Sequence, residues 1–236
     1  RDLNAQRVSI IEHPAVRLNL INMKSRVEAM RALIYYTALQ FDLERIANTE
    51  NEKENLQNMI DLLTPMCKGW CTEVGLEVVQ AGLQVMGGVG YTKDFPLEQL
   101  YRDARISTIY EGTTDIQALD LIGRKILRND GALFQQLMGN YSELINEHRD
   151  HQEMGQLINI FEGYCESLYE TSMSTQEILK ERGMESIALY ATPFLMFISS
   201  VTAGWLLLQQ AVIASEQLSG IRSKEGLEDI DDSALP

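Results

Sequence analysis

Long stretches of helical periodicity are the feature that most constrains what this chain can fold into. Pro14 suits the first position of a helix, and apolar residues then recur at helical spacing from about 16 to 41. After a polar cluster at 48–53, the same periodicity runs from about 56 to 86. Because no segment of the sequence alternates as a strand would, we expect an all-α protein whose first two helices pack antiparallel.

The helical patterns divide the chain into three predicted parts. They continue to about residue 126, pause near Gly131, and resume from about 132 to 218. Beyond that point the sequence is acidic and contains few apolar residues. The predicted parts are an up-down four-helix bundle at 8–128, an appended helical layer at 129–220 and an acidic flexible tail at 221–236.

Composition excludes several kinds of binding surface. The net charge of -14 argues against a basic face for nucleic acid, because non-specific affinity for phosphates comes from clustered Lys and Arg. His148 and His151 lie one helical turn apart, but they stand among acidic residues on what we expect to be a solvated face. We therefore predict neither a nucleic-acid partner nor a metal site.

An uncharged run at 187–214 is long enough to cross a bilayer. It contains Pro193 and polar residues such as Thr202 and Gln209, which favour a buried bundle helix, so we expect no membrane span. The chain opens on Arg1 and shows no targeting signal. We expect a processed product or an excised piece of a cytoplasmic protein.

Three glycines, Gly87, Gly88 and Gly90, follow the second predicted helix. A dinucleotide-binding loop would need a preceding strand within a βαβ unit, and here a helix precedes the glycines. We therefore reject that interpretation and expect a glycine cap at the end of the helix.

A single carboxylate, Glu111, stands between Tyr110 and the turn residue Gly112. Thr114 and Gln117 follow with the spacing of a capping box, which predicts that a helix begins there. Glu111 would then lie at or just before the amino terminus of that helix. An isolated Glu in this setting is typical of a positioned base.

The segment QVMGGVGYTKDFPLEQLYRDARISTIYEGTTDIQ resembles the C-terminal helical domain of the acyl-CoA dehydrogenases. The shared elements are a Gln-x-x-Gly-Gly turn, Pro-Leu-Glu, Arg-Asp-Ala-Arg and Tyr-Glu-Gly-Thr, in one order and spacing. The resemblance covers roughly 8–128, where the family has a four-helix bundle. The phrases at 10–14 and 117–121 resemble a larger branch that includes 3-methylmercaptopropionyl-CoA dehydrogenase and has an extra C-terminal helical extension.

The resemblance implies FAD-dependent oxidation of an acyl-CoA to a trans-2-enoyl-CoA. Glu111 would remove the α proton while a hydride leaves the β carbon for flavin N5. The backbone N–H of Glu111 and a flavin ribityl hydroxyl would stabilise the enolate oxygen. Gly112 and Tyr110 would contact the substrate, although core packing is an equal alternative for Tyr110.

The resemblance also implies where FAD binds and which partners take part. Thr113 and Asp115 would lie near the flavin phosphate or ribose. A second set would meet the adenine end of FAD bound mainly by a neighbouring subunit, which implies a homodimer or a tetramer. The implied electron acceptor is an electron-transfer flavoprotein. The second set consists of Gln84, Val85, Met86, Gly87 and Gly88.

Departures from the family pattern keep two alternatives open. The helical and β domains that precede the bundle in relatives are missing, and their Arg-x-x-Phe-Gly element has no clear counterpart around 7–11. We therefore expect a C-terminal fragment that binds FAD weakly and is inactive alone. The same residues fit an acyl-CoA oxidase, or a non-catalytic helical oligomerisation module.

Overall fold

The structure, a computed structural model, describes residues 7–127 and 131–225. Within these ranges the regular structure is helical and contains no strand, which confirms the all-α prediction. A short 3-10 helix at Ile10–Glu12 precedes α1, and another at Gly87–Tyr91 follows α2. The α helices are α1 (Pro14–Ile46), α2 (Glu50–Met86), α3 (Leu97–Ser107), α4 (Thr114–Asp120), α5 (Ala132–His148), α6 (Gly155–Arg182) and α7 (Met184–Glu225).

The start of α2 is fixed by a capping box. The backbone N–H of Glu52 donates to Thr49 Oγ1 at 3.2 Å, and the N–H of Thr49 donates to Glu52 Oε2 at 3.1 Å. This places the helix start at Glu50, several residues before the start that apolar periodicity predicts. Polar residues there serve the unpaired N–H groups of the first turn, so the cluster at 48–53 is largely helix rather than loop.

Helices α1 and α2 of the predicted bundle pack along each other around a buried core, and α3 and α4 each pack against α2. Leu33 of α1 and Leu62, Leu63 and Met66 of α2 are fully buried. Burying a side chain of this size contributes roughly 1.5–3 kcal/mol before the entropy of ordering the chain is counted. The α1 and α2 pair is therefore a rigid support for the shorter helices α3 and α4.

A second helical layer, α5 to α7, packs on the bundle and shares its core. Tyr141 of α5 is fully buried, and its hydroxyl lies 2.7 Å from Thr202 Oγ1 of α7. Trp70 Nε1 of α2 donates to Ser200 Oγ of α7 at 3.1 Å. Helix α7 thus contacts α5 within its own layer and α2 in the bundle. The predicted boundary at 128/129 stays a prediction, and residues 128–130 lie outside the described part of the chain.

Helix α7 is long and apolar enough to cross a membrane, and among the described residues it is the only such helix. Over half of its most apolar window, 56%, is buried inside the protein. This burial favours the interpretation as a bundle helix. The helix extends to Glu225, so the first residues of the predicted tail at 221–236 are helical, and residues 226–236 lie outside the described ranges.

Helix α4 continues into a π-helical segment, Leu121–Ile126, where the sequence predicts an ordinary α-helix. Arg124 Nη1 lies 3.2 Å from Asp120 Oδ1, one helical turn earlier, and forms an ion pair with it. Lys125 Nζ donates to Asp61 Oδ2 of α2 at 2.9 Å, so the segment is tied to the bundle. Apolar periodicity does not distinguish the two helix types over so few residues.

Candidate active site

Glu111 lies on a left-handed turn between α3 and α4. Its φ is 53°, and that of Gly112 is 92°. A residue with a Cβ rarely adopts this conformation, whereas glycine adopts it freely. Gln117 Nε2 donates to the carbonyl oxygen of Glu111 at 3.3 Å, which fixes the turn from the following helix. Backbone strain at an exposed carboxylate is typical of a functional site.

The cap of α4 differs from the predicted one by a single residue. Thr113 is the N-cap, and its Oγ1 accepts from the N–H of Ile116 at 3.5 Å. Thr114 is buried and donates instead to Glu73 Oε1 of α2 at 2.6 Å. The predicted capping box of Thr114 and Gln117 is therefore wrong, because Glu73 binds the second threonine hydroxyl and Gln117 binds the Glu111 carbonyl.

Lys68 of α2 fixes the other side of the turn. Its Nζ donates to the carbonyl oxygen of Ser107, the last residue of α3, at 2.8 Å. The same ammonium group lies 6.0 Å from the ring centroid of Tyr110. A cation there complements the negative end of α3. Tyr110 is 52% exposed in this chain, so it is not part of the core that the described helices form, and its role stays a prediction.

Two clefts border the turn and share Arg105 and Ile109. The first, of about 530 Å³, is polar, and Asp115 Oδ1 on its wall accepts a hydrogen bond from Thr192 Oγ1 of α7 at 2.5 Å. The second, of about 680 Å³, is more apolar and lies between α2 and α3. The polar cleft is lined by Glu73, Glu77, Arg105, Thr108, Ile109, Thr113, Thr114, Asp115, Thr192 and Met196.

The five residues of the predicted adenine set lie at the carboxyl end of α2. Gly87 caps the helix with a φ of 66°, as the sequence predicts. A Cβ added at Gly87 or Gly88 would meet no atom within 4 Å, so this stretch of backbone is open. Gln84 and Met86 are exposed, and Val85 is half-buried.

The structure does not bring the two predicted site groups together within one chain. Thr114 is bound to Glu73, and Gln84 lies about 17 Å further along the same helix at a rise of 1.5 Å per residue. The group at 110–115 and the group at 84–88 are therefore separate surfaces of this chain.

The two histidines form no metal site in the described part of the chain. His151 Nδ1 accepts from the N–H groups of Glu153 and Met154, at 3.2 and 3.3 Å, just before α6 begins. Nowhere in 7–127 or 131–225 do three His, Cys, Asp or Glu side chains gather in a way that would hold a metal ion.

Three residues that contact the site or its supports were not predicted from the sequence: Lys68, Glu73 and Thr192. Lys68 and Glu73 are charged residues within a largely buried stretch of α2, and that contrast is a usable signal. Thr192 lies 77 residues after its partner Asp115, and nothing in the sequence pattern indicates that contact.

A helical bundle with one exposed carboxylate on a strained turn fits the class of catalytic helical domain that the resemblance implies. Residues 1–127 match the family described as "Acyl-CoA dehydrogenase, C-terminal domain", and residues 136–232 match "Acetyl-CoA dehydrogenase C-terminal like". The chain belongs to the acyl-CoA dehydrogenase C-terminal domain family.

Two curated relatives illustrate the sequence similarity. The 3-methylmercaptopropionyl-CoA dehydrogenase of Ruegeria pomeroyi is 35% identical over 216 residues. The broad-specificity linear acyl-CoA dehydrogenase FadE5 of Mycobacterium tuberculosis is 32% identical over 221 residues. Each match covers 90% of this chain and 36% of the relative, so the chain spans little more than a third of their length.

A solved structure supports the fold of both helical layers. Caenorhabditis elegans ACDH-11, solved in complex with C11-CoA, aligns with a TM-score of 0.74 and 21% sequence identity. The alignment covers 89% of this chain and 35% of that one. At this identity the likeness shows the fold alone. The aligned part of the chain includes the α5 to α7 layer.

Proposed function

We propose that this chain supplies the catalytic base of an FAD-dependent acyl-CoA dehydrogenase, and that the base is Glu111. The observation that carries the proposal is the turn itself. Glu111 is exposed with a left-handed φ of 53°, and Gln117 binds its carbonyl oxygen. A base that is fixed in place removes much of the entropic barrier to proton transfer.

The reaction would convert an acyl-CoA to a trans-2-enoyl-CoA. The Glu111 carboxylate takes the α proton, and the electron pair of the broken C–H bond moves toward the thioester. The N–H of Glu111 then donates to the thioester oxygen, where negative charge develops. Tyr110 and Gly112, which flank the base, contact the acyl-CoA. FAD, when bound, supplies the acceptor for the hydride that leaves the β carbon.

The residues that would hold FAD fit a flat aromatic group at one point and a polar chain at another. The open backbone of Gly87 and Gly88 lets a ring system approach without meeting a Cβ, and Gln84, Val85 and Met86 would border it. Thr113 lies on the polar cleft beside the base and would face the ribose and phosphates, and Asp115, on the same cleft, would support it from the first turn of α4.

A homodimer or tetramer follows from the distance between the two groups. Because Gln84 lies about 17 Å along α2 from Glu73, which binds Thr114 near the base, we propose that the group at 84–88 serves FAD bound mainly by a second copy. Large apolar side chains on α1 are exposed and available for such an interface, for example Leu18, Ile21 and Tyr35. An electron-transfer flavoprotein is the proposed electron acceptor.

The proposal is tested by flavin bleaching in the native-length protein. Under anaerobic conditions, mixing with acyl-CoAs of increasing chain length should bleach the flavin, and Glu111→Gln should slow this step by about 10³-fold. Glu177→Gln, an exposed glutamate on α6, is the matched control and should bleach at the wild-type rate. Undiminished bleaching in Glu111→Gln contradicts the assignment of the base.

A second measurement concerns the 236-residue chain by itself. We propose that it binds FAD only weakly, since the group at 84–88 and the group at 110–115 do not converge in one copy. Titration of the chain with FAD, followed by flavin fluorescence, should show no stoichiometric end point. Tight one-to-one binding would overturn this part of the proposal.

A further inference from the structure

The second helical layer contacts the turn that carries Glu111. Thr192 of α7 donates from Oγ1 to Asp115 Oδ1 at 2.5 Å, and Asp115 lies in the first turn of α4. Thr192 and Met196 also form part of the wall of the polar cleft beside the base. A side chain 77 residues away in sequence is therefore bonded to the first turn of α4, which begins three residues after Glu111.

A second contact connects the same elements. A Cβ added at Gly69 of α2 would lie 2.4 Å from Leu195 Cδ2 of α7 and 3.6 Å from Gln117 Cβ of α4. Helices α2, α4 and α7 thus meet at Gly69 with no spare space. Gln117 is the residue whose amide donates to the Glu111 carbonyl, so α7 packs against the helix that orients the base.

The carboxylate of Asp115 is committed to this contact. One oxygen accepts the Thr192 hydroxyl, and the cleft around it already contains Glu73 and Glu77. A carboxylate bonded to a neighbouring helix is fixed in orientation, whereas an unbonded one beside two others would turn toward solvent. The chemistry therefore suits an anchor for α4 better than a direct ligand of an anionic cofactor.

We propose that Thr192 is a positioning residue for the Glu111 turn, and that it acts through Asp115. The inference rests on the proposed function of Glu111 as the base. The α5 to α7 layer then does more than stabilise the bundle, because one of its side chains sets the geometry of a turn that carries chemistry in another layer. Asp115 contributes to cofactor binding by fixing the start of α4, where Thr113 lies.

The first test measures amide hydrogen exchange near the turn, so it does not depend on enzyme activity. In the native-length protein, Thr192→Val should speed amide hydrogen exchange about tenfold at Ile116 and Gln117, whose N–H groups donate to Thr113, and Thr192→Ser should restore the wild-type rates. Thr171→Val is the matched control, because Thr171 is an exposed threonine on α6 whose hydroxyl donates to the Ser167 carbonyl. Unchanged exchange in Thr192→Val, or equal acceleration in Thr171→Val, overturns the inference.

The second test is a double-mutant cycle read by flavin reduction. Thr192→Val and Asp115→Ala should each lower the limiting rate about fivefold with little change in the KM for acyl-CoA. The double variant should lose no more than either single variant, and Thr192→Ser should recover the rate. If the two losses in limiting rate add in the double variant, or if only the KM for acyl-CoA changes, Thr192 does not act through Asp115.

The two proposals fail in different ways. If Glu111→Gln still reduces flavin at the wild-type rate, the proposed base is wrong, and the exchange experiment still reports whether Thr192 fixes the turn. If Glu111→Gln is inactive while the Thr192 and Asp115 effects add, only the positioning role is wrong.

Discussion

Tyr141 and Glu111 lie in opposite environments within one chain, because Tyr141 is buried in the core and Glu111 lies on an exposed turn. Tyr141 is fully buried, its hydroxyl is bonded to Thr202, and its ring centroid lies 5.6 Å from Phe161 and 5.5 Å from Trp205. Burial raises the pKa of Tyr141 above its ordinary value, so the hydroxyl stays neutral. Glu111, by contrast, is exposed on a left-handed turn beside an open polar cleft.

The difference separates a region that contributes stability from the region where we propose that the chemistry takes place. The region around Tyr141 is fixed by packing. Its three aromatic residues, Tyr141, Phe161 and Trp205, line neither of the two clefts beside the Glu111 turn. The Glu111 turn is fixed by a few side-chain hydrogen bonds from Lys68, Gln117 and Thr192. Substitutions in the first region should therefore change the free energy of unfolding, and substitutions in the second should change activity more than stability.

The largest expected effect on stability is at Tyr141. Replacing it with alanine leaves a cavity and removes the Thr202 contact, so Tyr141→Ala should lower the free energy of unfolding by about 3–5 kcal/mol. Urea unfolding followed by circular dichroism measures this. Tyr164→Ala on α6, where the ring is 57% exposed, is the control and should change stability by less than about 0.5 kcal/mol.

Gly69 lies between the two regions, and its replacement tests the contact of α7 with α2. Gly69→Ala would place a Cβ 2.4 Å from Leu195 Cδ2, which should destabilise the protein by about 1–3 kcal/mol. Gly163→Ala, in the middle of α6 with no atom within 4 Å, should instead stabilise it by about 0.5–1 kcal/mol. Effects of the same sign at both glycines would contradict the described packing.

At the turn itself, Gly112→Ala would strain the backbone and place a Cβ 2.9 Å from Gln117 Nε2, the atom that donates to the Glu111 carbonyl. The φ of 92° disfavours any L side chain, so the substitution should cost about 1–2 kcal/mol of stability. Because the turn carries the proposed base, we expect a larger loss in flavin reduction than this stability change explains. A variant with wild-type flavin reduction would show that the left-handed turn is not needed for catalysis.

The smallest effect is the pH dependence of the Asp61 and Lys125 pair. Burial acts to raise the pKa of Asp61, but hydrogen bonds from Lys125 and Gln57 outweigh it and lower the pKa below its ordinary value of 3.8. A lowered folded-state pKa adds stability above that ordinary value, and this stability is lost as the pH falls through the folded-state pKa.

Since the Asp61 side chain is 41% exposed, solvent screening limits the pair to less than about 1 kcal/mol at neutral pH. Asp61→Asn should remove that amount and flatten the acid side of the stability profile below about pH 5. Urea midpoints at several pH values measure both. An unchanged profile in the variant would show that the pair contributes nothing to acid stability.

Much of the fold could be predicted from the sequence, because helices such as α1, α2, α5 and α6 bury apolar residues that recur at helical spacing. Helix limits were harder where polar side chains decide them. Thr49 and Glu52 begin α2 inside a cluster that looks like a loop, and Thr113 rather than Thr114 caps α4. Both errors arise because a cap depends on which donor or acceptor is near in space.

The candidate site could be predicted only where it is local in sequence. The turn from Tyr110 to Gly112 is visible in the chain, and the structure adds its left-handed backbone. The contacts of Lys68 with Ser107 and of Thr192 with Asp115 join helices far apart in sequence. No periodic pattern contains such pairs, so they emerge only from the packed structure. The roles of the predicted site residues stay predictions.

The central claim is that Glu111 removes the α proton of an acyl-CoA, and α-proton exchange tests it most directly. A 3-thia-acyl-CoA has sulfur at the β position, so it can lose its α proton but has no β hydride to transfer. Incubated in D₂O with the native-length protein, it should gain deuterium at the α carbon, measured by mass spectrometry. Glu111→Gln should slow this exchange at least about 100-fold. Exchange at the wild-type rate in Glu111→Gln would contradict the account.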